Sequence, residues 1–353
     1  MIGAGGIAQT RHLPILTTLT DVVALAARDH DRLERTARQY NIEHRYSNYR
    51  ELLESGEVDA VAICTPADSH VEIALAALDR GIHVFIEKPL ALNLDDCDRL
   101  IARAEHASCK AMVGFNMRWH PHVKAAREMI QRKKLGELKS IRTVFTSGIR
   151  HRRNVREWRR RRVLGGGGLV ELAVHQFDLW RFLLGSEVEE ISVISRSSEW
   201  DDETLVISAR MTNGVLVSSV IAQGSIDSYE VEIFGTADRV QLSCYRSRGL
   251  YSSAGAPSGK VMQAMKQWGQ AFRLKRAGGP YLASYRNEWR HFVDCIERDI
   301  PVQSTLDDGR RALQVVLAGA VSASRGETVK IADAPSELLP VAINATRERV
   351  PAQ

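Results

Sequence analysis

Cysteine is scarce in this sequence of 353 residues, and the few thiols are scattered. None of them has the C-x-x-C spacing of zinc sites and redox pairs, and they stand at Cys64, Cys97, Cys109, Cys244 and Cys295. An odd number of dispersed thiols argues against the disulfide framework of secreted domains and against a zinc site. We therefore predict a cytoplasmic protein that binds no metal.

Long apolar runs are missing as well. No run approaches the ~20 apolar residues that span a bilayer, and no basic segment followed by an apolar stretch opens the chain. We therefore expect neither a membrane partner nor a secretory signal. Hydrophobic residues make up 44% of the chain and charged residues 26%, which is typical of a soluble globular protein, and the length suits about two domains.

The net charge is only +5, and much of the basic excess lies in one segment, HRRNVREWRRRR at residues 151–162. Such a run is usually a solvated loop or helix face. It could instead bind the phosphate of a phosphorylated or nucleotide-linked substrate. Because no nucleic-acid-binding motif accompanies the run, we expect no nucleic-acid partner.

Apolar runs and amphipathic segments alternate in the first third of the chain. The apolar runs predict buried strands at residues 21–27, 58–66, 83–89 and 110–116. Helical periodicity separates them at residues 31–40, 69–81 and 94–107. This alternation predicts βαβ units and an α/β Rossmann domain, with a doubly wound parallel sheet, over residues 1–116. Ligands of such sheets bind beyond the carboxyl ends of the strands.

The chain opens on a glycine-rich loop, MIGAGGIAQT. In a dinucleotide-binding loop the first glycine allows a tight turn, the second lets the backbone approach a pyrophosphate, and the final small residue permits close helix packing. The following helix then offers free N–H groups to the phosphates. The candidate cofactor-binding residues of this loop are Gly3, Gly5, Gly6, Ile7 and Ala8.

Only Met1 and Ile2 precede this loop, although a strand normally does. In a doubly wound sheet that strand lies in the middle, and it normally takes about five residues. We therefore hypothesise that the first strand is truncated, that Met1 is not the natural start, and that apolar residues encoded upstream complete the strand.

The residues after the strand at 21–27 bear on the choice of cofactor. NAD-binding units usually place Asp or Glu there to accept a hydrogen bond from the ribose 2′-OH. This chain has Arg28 followed by Asp29, while Asp21 precedes the strand and lies at its other end. An arginine suits a 2′-phosphate, so we favour NADP over NAD. The alternative is an exposed Arg28 with Asp29 turned toward the ribose.

Four segments, taken together, resemble the Gfo/Idh/MocA oxidoreductase family, named for glucose-fructose oxidoreductase, inositol dehydrogenase and a rhizopine-catabolism protein. They are GAGGIA, the segment AICTPADSHVEIALAALDRGIHVFIEKPLAL, the segment GGGGLVELAVHQFDLWRFLLG, and residues 287–331. The resemblance covers almost the whole chain. Its most specific parts are E-K-P and the glycine run followed by E-x-x-x-H-x-x-D.

The E-K-P triplet ends the strand at 83–89, where a lysine can reach into the crevice. The resemblance implies that Lys88 lies in the active site, positions or protonates the substrate oxygen, and precedes a peptide bond to Pro89 that is often cis. Cis bonds are largely confined to X-Pro. Glu87 can hold the ammonium in place.

Glu171, His175 and Asp178 stand at i, i+4 and i+7 of one predicted helix, which would put them on one face. The glycines at 165–168 would let the backbone approach a ligand. The resemblance implies that His175 is the acid/base residue that takes the alcohol proton, a role that suits its ordinary pKa of ~6.5. The dehydrogenases of the family usually carry aspartate where this chain has Glu171. This difference weakens an assignment as a sugar or inositol dehydrogenase.

Other family positions match more loosely. Thr65 and Pro66 would lie beside the pyrophosphate, and His70 near the cofactor. Asn116 and Arg118 would line the site where the chain enters its second domain. Each of these could equally serve local turn structure.

The remainder of the chain is rich in strands. Alternating runs between residues 137 and 245 predict a C-terminal α+β domain over residues 117–335, with a mainly antiparallel open sheet, followed by a tail at 336–353. The resemblance implies that this sheet serves association, so we expect a homodimer or homotetramer. Residues 246–279 are interpreted as an insertion.

These features favour an NAD(P)-dependent oxidoreductase that transfers hydride between nicotinamide and a carbinol carbon of a sugar, cyclitol or sugar derivative. Lys88 would hold the reacting oxygen, and Glu171 would orient the histidine or the substrate. One alternative is an epimerase- or glycosidase-type enzyme that uses the bound cofactor transiently. Another is a non-catalytic NAD(P)-binding regulator, although a regulator needs neither Lys88 nor His175.

Overall fold

The computed structural model describes residues 1–148, 155–253, 274–275 and 278–341. Short segments in the first third of the chain form parallel strands, and those that helices cover on both faces are apolar. These strands are β1 (Ala24–Ala26), β2 (His44–Tyr46), β3 (Ala60–Ile63), β4 (His83–Glu87) and β5 (Ala111–Gly114). They pair in parallel as β1 with β2 and as β3, β4 and β5 in that order. The predicted parallel Rossmann sheet is confirmed.

The first residues of the chain join these two groups of strands. Ile2 bridges in parallel to Ala26 on one side and to Ile63 on the other. Its N–H donates to the Ala62 carbonyl at 2.8 Å, and its carbonyl accepts from the Cys64 N–H at 2.8 Å. Residues 1–3 therefore occupy the central place in the sheet that the topology assigns to the strand before the glycine loop.

Helices follow the strands, and all of them except the six-residue helix Tyr49–Glu54 were expected from the sequence. They are α1 (Leu13–Leu16), α2 (His30–Tyr40), α3 (Tyr49–Glu54), α4 (His70–Leu78) and α5 (Leu94–Glu105), and Ala8–His12 forms a π-helical turn that leads into α1. Asp29, Asn48 and Asn93 begin three of them, because each side chain accepts a hydrogen bond from a backbone N–H of the first turn.

The C-terminal sheet has eight strands in the order β12-β11-β10-β6-β9-β8-β7-β13. Its strands are β6 (Leu138–Ser147), β7 (Val188–Arg196), β8 (Thr204–Met211), β9 (Leu216–Gln223), β10 (Ser228–Gly235), β11 (Arg239–Ser243), β12 (Leu250–Ser252) and β13 (Val329–Lys330). All pairs are antiparallel except β6 with β9, which is parallel. Buried and exposed residues alternate along β8 and β9, so one face packs on helices. The mainly antiparallel sheet is confirmed.

The described residues contain four further α-helices, which are α6 (Pro121–Gln131), α7 (Val174–Leu184), α8 (Pro280–Glu297) and α9 (Leu306–Arg325). Helix α9 starts in a capping box between Thr305 and Asp308 and ends at Gly326 in the left-handed conformation. It packs against α5 and β5 of the first sheet and against β7 of the second. This helix therefore fixes the two sheets relative to each other.

Some sequence predictions fall partly outside the described residues. The positions concerned are 149–154, at the start of the basic run and just before it, 254–273 and 276–277 in the predicted insertion, and 342–353 in the tail. Of the helices that the structure describes, none is long and apolar enough to cross a membrane.

Candidate active site

The glycine loop lies at the carboxyl edge of the parallel sheet. Gly3 has a φ of +99°, and a Cβ there would lie 2.5 Å from the carbonyl oxygen of Cys64, so only glycine fits the turn. A Cβ on Gly6 would meet nothing within 4 Å, and one on Gly5 would meet only the Cys64 carbonyl oxygen, at 3.9 Å. The loop is therefore closed toward the sheet and open toward the crevice. This is the shape that a pyrophosphate at a helix N-terminus requires.

Arg28 and Asp29 follow β1 at the same edge. Asp29 caps α2: its Oδ1 accepts from the Arg32 N–H at 3.0 Å, and its Oδ2 lies 2.9 Å from Arg32 Nη2. The hydrogen bond from the Arg32 N–H is the main reason that the pKa of Asp29 lies below its ordinary value. Arg28 is exposed, and within the described part of the chain it has no hydrogen bond or ion pair. The carboxylate is thus engaged by the protein, while the guanidinium is free for a ligand.

His70 links the ends of β3 and β4. Its Nε2 lies 2.9 Å from the carbonyl oxygen of Thr65, and its Nδ1 lies 2.9 Å from that of Pro89. The ring is buried, and burial lowers its pKa. Ser69 adds a hydrogen bond from its Oγ to Thr65 Oγ1 at 2.8 Å. His70 therefore positions the segments that carry Thr65, Pro66 and the E-K-P triplet, and both of its nitrogens are directed at the backbone.

Lys88 reaches from the end of β4 into the space between the two sheets. The peptide bond from Lys88 to Pro89 is cis. The Lys88 Nζ donates to the backbone carbonyl of Glu171 at 2.8 Å. Burial lowers the pKa of Lys88, although the carboxylates of Glu171 and Glu87 oppose this effect. The ammonium keeps further N–H donors for a ligand, because one hydrogen bond uses only one of three.

Glu87, at the end of β4, is held by hydrogen bonds on both of its carboxylate oxygens. Its Oε1 lies 2.7 Å from His12 Nε2, and its Oε2 accepts from the Lys88 N–H at 3.1 Å. Burial raises the pKa of this carboxyl, but the hydrogen bond from His12 and the charge of Lys88 outweigh burial and bring the pKa below its ordinary value. Glu87 is therefore a buried carboxylate whose charge is compensated on both oxygens.

His175 lies in the first turn of α7, beside the lysine. Its Nδ1 is buried and has no hydrogen-bond partner within the described residues. Burial lowers the pKa of His175 well below its ordinary value, and the positive charge of Lys88 adds to this shift. Phe145 of β6 packs edge-on against the ring with 6.2 Å between centroids. The imidazole is therefore neutral and can accept a proton, and Nε2 is the nitrogen available to a substrate.

Glu171 precedes α7 in a π-helical turn, Leu169–Ala173. Its Oε1 pairs with Arg159 Nη2 at 2.8 Å, while its Oε2 is buried without a partner among the residues described. Glu171 therefore touches two cations, through its carbonyl to Lys88 and through its carboxylate to Arg159. The wider turn also means that Glu171 and His175 do not follow the simple α-helical spacing that the sequence predicts.

The glycine run is shaped by the protein backbone. A Cβ on Gly166 would lie 2.2 Å from the Trp158 carbonyl oxygen, and one on Gly168 would lie 2.1 Å from that of Asp202. The sequence-based interpretation was approach to a ligand. The structure shows that Gly166 and Gly168 let two neighbouring segments pass, one of which carries Arg159, and approach to a ligand stays a prediction.

Asn116 and Arg118 are buried at the start of the connection between the sheets. The Arg118 Nε donates to Asp178 Oδ2 at 2.8 Å, and its Nη1 donates to Asp308 Oδ2 at 2.8 Å. Asn116 Nδ2 donates to Ser284 Oγ at 2.8 Å. Asp178 is therefore turned away from Glu171 and His175 into an ion-pair network that anchors the start of α9.

The lysine, the histidine and the glutamate thus converge at the carboxyl edge of the parallel sheet. Comparison with known proteins identifies the family of the chain. Residues 1–115 match the family described as "Oxidoreductase family, NAD-binding Rossmann fold". Residues 127–331 match its companion, "Oxidoreductase family, C-terminal alpha/beta domain". The chain belongs to the Gfo/Idh/MocA oxidoreductase family. The resemblance inferred from the motifs is confirmed.

Members of this family resemble the chain over nearly its full length. The myo-inositol 2-dehydrogenase of Thermotoga maritima is 28% identical over 345 residues, which cover 94% of this chain and 97% of that protein. The structure of a probable dehydrogenase from Thermotoga maritima superposes with a TM-score of 0.79 at 25% identity, covering 95% and 98% of the two chains. The scyllo-inositol dehydrogenase of Lactobacillus casei, with bound NAD(H) and scyllo-inositol, shares the fold at 18% identity, with a TM-score of 0.75 and coverage of 94% and 98%.

Three residues at this Gfo/Idh/MocA site escaped prediction. Arg159 belongs to the basic run, which was noticed, but the run itself does not indicate which arginine reaches Glu171. His12 and Trp289 are 277 positions apart and touch each other, and no local pattern indicates such a contact. Among the described residues, no group of three or more His, Cys, Asp or Glu side chains is arranged to hold a metal ion.

Proposed function

We propose that this protein is a nicotinamide-dependent dehydrogenase that oxidises a carbinol of a sugar or cyclitol, or reduces the corresponding carbonyl. The observation that carries the proposal is the closeness of Lys88 and His175 at the carboxyl edge of the Rossmann sheet. The relatives named for inositol dehydrogenation support the class of substrate. The open Gly5–Gly6 cradle fits the pyrophosphate of the cofactor.

In this proposal the nicotinamide ring supplies the hydride chemistry, and the residues of the chain manage the proton. Lys88 donates an N–H to the reacting oxygen while its Nζ stays anchored to the Glu171 carbonyl. His175 is neutral because of burial and the lysine charge, so its Nε2 accepts the alcohol proton. Glu171, which is held by Arg159, fixes the position of the Lys88 ammonium relative to the start of α7.

Substituting Lys88 tests this assignment. We expect Lys88→Ala to lower kcat at least about 100-fold, because it removes a proton donor and electrostatic support for the reacting oxygen. The dissociation constant for the cofactor should change little. Turnover is followed at 340 nm against sugars, cyclitols and sugar nucleotides, with Lys110→Ala as the control on an ion-paired lysine at the start of β5.

Full activity of Lys88→Ala would overturn the assignment. Conversion of substrate without net change at 340 nm would instead indicate transient use of the cofactor, as in an epimerase or glycosidase.

We further propose NADP as the preferred cofactor. The support is the contrast between Asp29, whose carboxylate is engaged by Arg32, and Arg28, which is exposed beside the place expected for the ribose. A guanidinium can bind a 2′-phosphate bidentately, whereas an occupied N-cap carboxylate is poorly placed to accept from a 2′-OH.

The C-terminal sheet is our candidate for self-association into a homodimer or homotetramer. Ile194, Val206 and Val220 lie opposite one another on three adjacent strands, and all three side chains are exposed. A cross-strand row of exposed apolar residues favours burial against another copy. Light scattering should therefore give a mass of two or four chains. We also propose the cytoplasm as the location, because all five cysteines are free thiols.

A further inference from the structure

His12 connects the helix after the glycine loop to the catalytic strand and to α8. Its side chain is fully buried, and its Nε2 lies 2.7 Å from Glu87 Oε1. The Trp289 Nε1 donates to His12 Nδ1 at 3.0 Å, with the two rings perpendicular. Trp289 is itself packed on Phe85 of β4, with 4.1 Å between ring centroids.

The indole partner fixes the direction of this chain of hydrogen bonds. An indole nitrogen can only donate, so Nδ1 of His12 must accept. Nε2 therefore carries the proton and donates it to Glu87. The other Glu87 oxygen accepts from the Lys88 N–H, so the carboxylate is held on both sides directly next to the catalytic lysine.

The charge on Glu87 matters to Lys88 because burial disfavours the ammonium, and Glu87 is one of two carboxylates that oppose this effect. His12 supports the charge on Glu87 by its hydrogen bond. Removing the hydrogen bond would leave one oxygen of this buried carboxylate without a donor, and the carboxylate would then take up a proton more readily. The support for the lysine would then be lost.

We propose that His12, oriented by Trp289, is a positioning residue for Lys88 that acts through Glu87 and ties the dinucleotide loop to the lysine. The helix that begins at the glycine loop thus also sets the charge and place of the group that holds the substrate oxygen. The inference rests on the proposed function only in giving Lys88 a role in turnover.

Several other groups also influence the pKa values of His12, Glu87 and Lys88. Burial lowers the pKa of His12, but Cys64 and Glu87 outweigh burial and bring it well above its ordinary value. The indole N–H of Trp289 opposes this rise, because a ring protonated on both nitrogens cannot accept from it.

His70 acts electrostatically on Glu87, and Glu171 and Arg159 act on Lys88. In turn, Glu87 raises the pKa of Tyr281, Tyr285 and Glu288, and Lys88 lowers that of His175. All of these groups remain in place when His12 is changed. A change in the titration of Lys88 can therefore be assigned to the loss of the hydrogen bond between His12 and Glu87.

Two substitutions separate positioning from packing. His12→Gln retains an amide N–H close to the place of Nε2, whereas His12→Met fills similar volume without a donor. The titration of Lys88 is followed by ¹³C NMR of ε-labelled lysine without substrate or cofactor, and Lys88→Met assigns its signal. We expect His12→Met to lower the pKa of Lys88 by about one unit and His12→Gln to restore most of this shift.

Turnover supplies a second measurement. The limb of the kcat/KM profile that reports Lys88 should move with the NMR titration. Trp289→Phe keeps an aromatic ring beside Phe85 and removes the indole N–H with part of the bicyclic ring, so it should shift the Lys88 titration in the same direction by a smaller amount. This variant keeps the test available if His12→Met does not fold.

An unchanged Lys88 titration in both His12→Met and Trp289→Phe, with only a lower melting temperature, would overturn the inference. Failure of the proposed function would be observed differently. Wild-type protein would then convert no polyol, while the NMR titration would still show whether His12 affects the pKa of Lys88.

Discussion

At the scale of single residues, the charge of Lys88 influences the protonation of His175. Burial lowers the pKa of both groups, and the lysine charge lowers that of the histidine further. A charged Lys88 therefore keeps His175 neutral, which is the state needed to accept an alcohol proton. The two carboxylates nearby bind other groups: Glu87 binds His12, and one oxygen of Glu171 binds Arg159. One pair thus combines a proton donor and a proton acceptor at the same pH.

The first prediction at this scale concerns Arg28 and the cofactor. If its guanidinium binds a 2′-phosphate, Arg28→Ala should raise the dissociation constant for NADPH about 10- to 100-fold, the worth of a hydrogen bond to a charged group. The constant for NADH should change little. Arg38→Ala is the matched control, since Arg38 lies in the last turn of α2 and is exposed. Fluorescence titration measures both constants, and tighter binding of NADH than of NADPH by the wild type would contradict the NADP proposal.

At the scale of secondary structure, the site lies between two irregular helical segments. Ala8–His12 follows the glycine loop, and Leu169–Ala173 carries Glu171; both are π-helical turns. Apolar periodicity predicted the helices themselves, but it does not report the width of a turn. The strand β2 and the helix α3 were not predicted, because an edge strand of three partly exposed residues and a helix of six carry little pattern.

The glycine run gives a prediction for stability. A Cβ on Gly166 would overlap the Trp158 carbonyl oxygen at 2.2 Å, and backbone cannot move aside cheaply. We expect Gly166→Ala to lower the free energy of unfolding by about 2–4 kcal/mol. Gly185→Ala, where φ is +59° and a Cβ would meet nothing within 4 Å, should lose only about 1 kcal/mol.

Urea denaturation of these two variants measures the difference. Equal losses would show that the segment carrying Arg159 yields to the methyl group, and that close backbone packing is not what the glycine run provides.

At the scale of the whole molecule, contacts between distant segments decide the site. The sequence predicted both sheets, and it nominated Lys88, Glu171 and His175 as site residues because each belongs to a local motif. It did not predict that Asp178 turns to Arg118, 60 positions away, or that Arg118 also binds Asp308, 190 positions away. Periodicity reports which face of an element is buried, whereas pairing of buried charges depends on which elements meet. The parallel pairing of β6 with β9 was missed for the same reason.

Glu288 of α8 shows what this tertiary environment does to a carboxyl group. The side chain is fully buried, and neither of its oxygens has a partner within the described residues. Burial raises its pKa well above 4.5, and the nearby Glu87 adds to the rise. The folded state therefore holds this proton at a pH where the unfolded chain releases it. The contribution of Glu288 to stability is present below pH 4.5 and is lost as the pH rises toward the folded pKa.

Glu288→Gln should remove this dependence, because the amide stays neutral at every pH. We measure the free energy of unfolding of both proteins with urea from pH 4.5 to 8. The value for the variant should increase relative to that of the wild type as the pH rises. Glu297→Gln, an exposed position at the end of the same helix, should follow the wild type throughout. A constant offset between Glu288→Gln and the wild type would mean that Glu288 is ionised in the folded state, and that its buried carboxylate is stabilised in place.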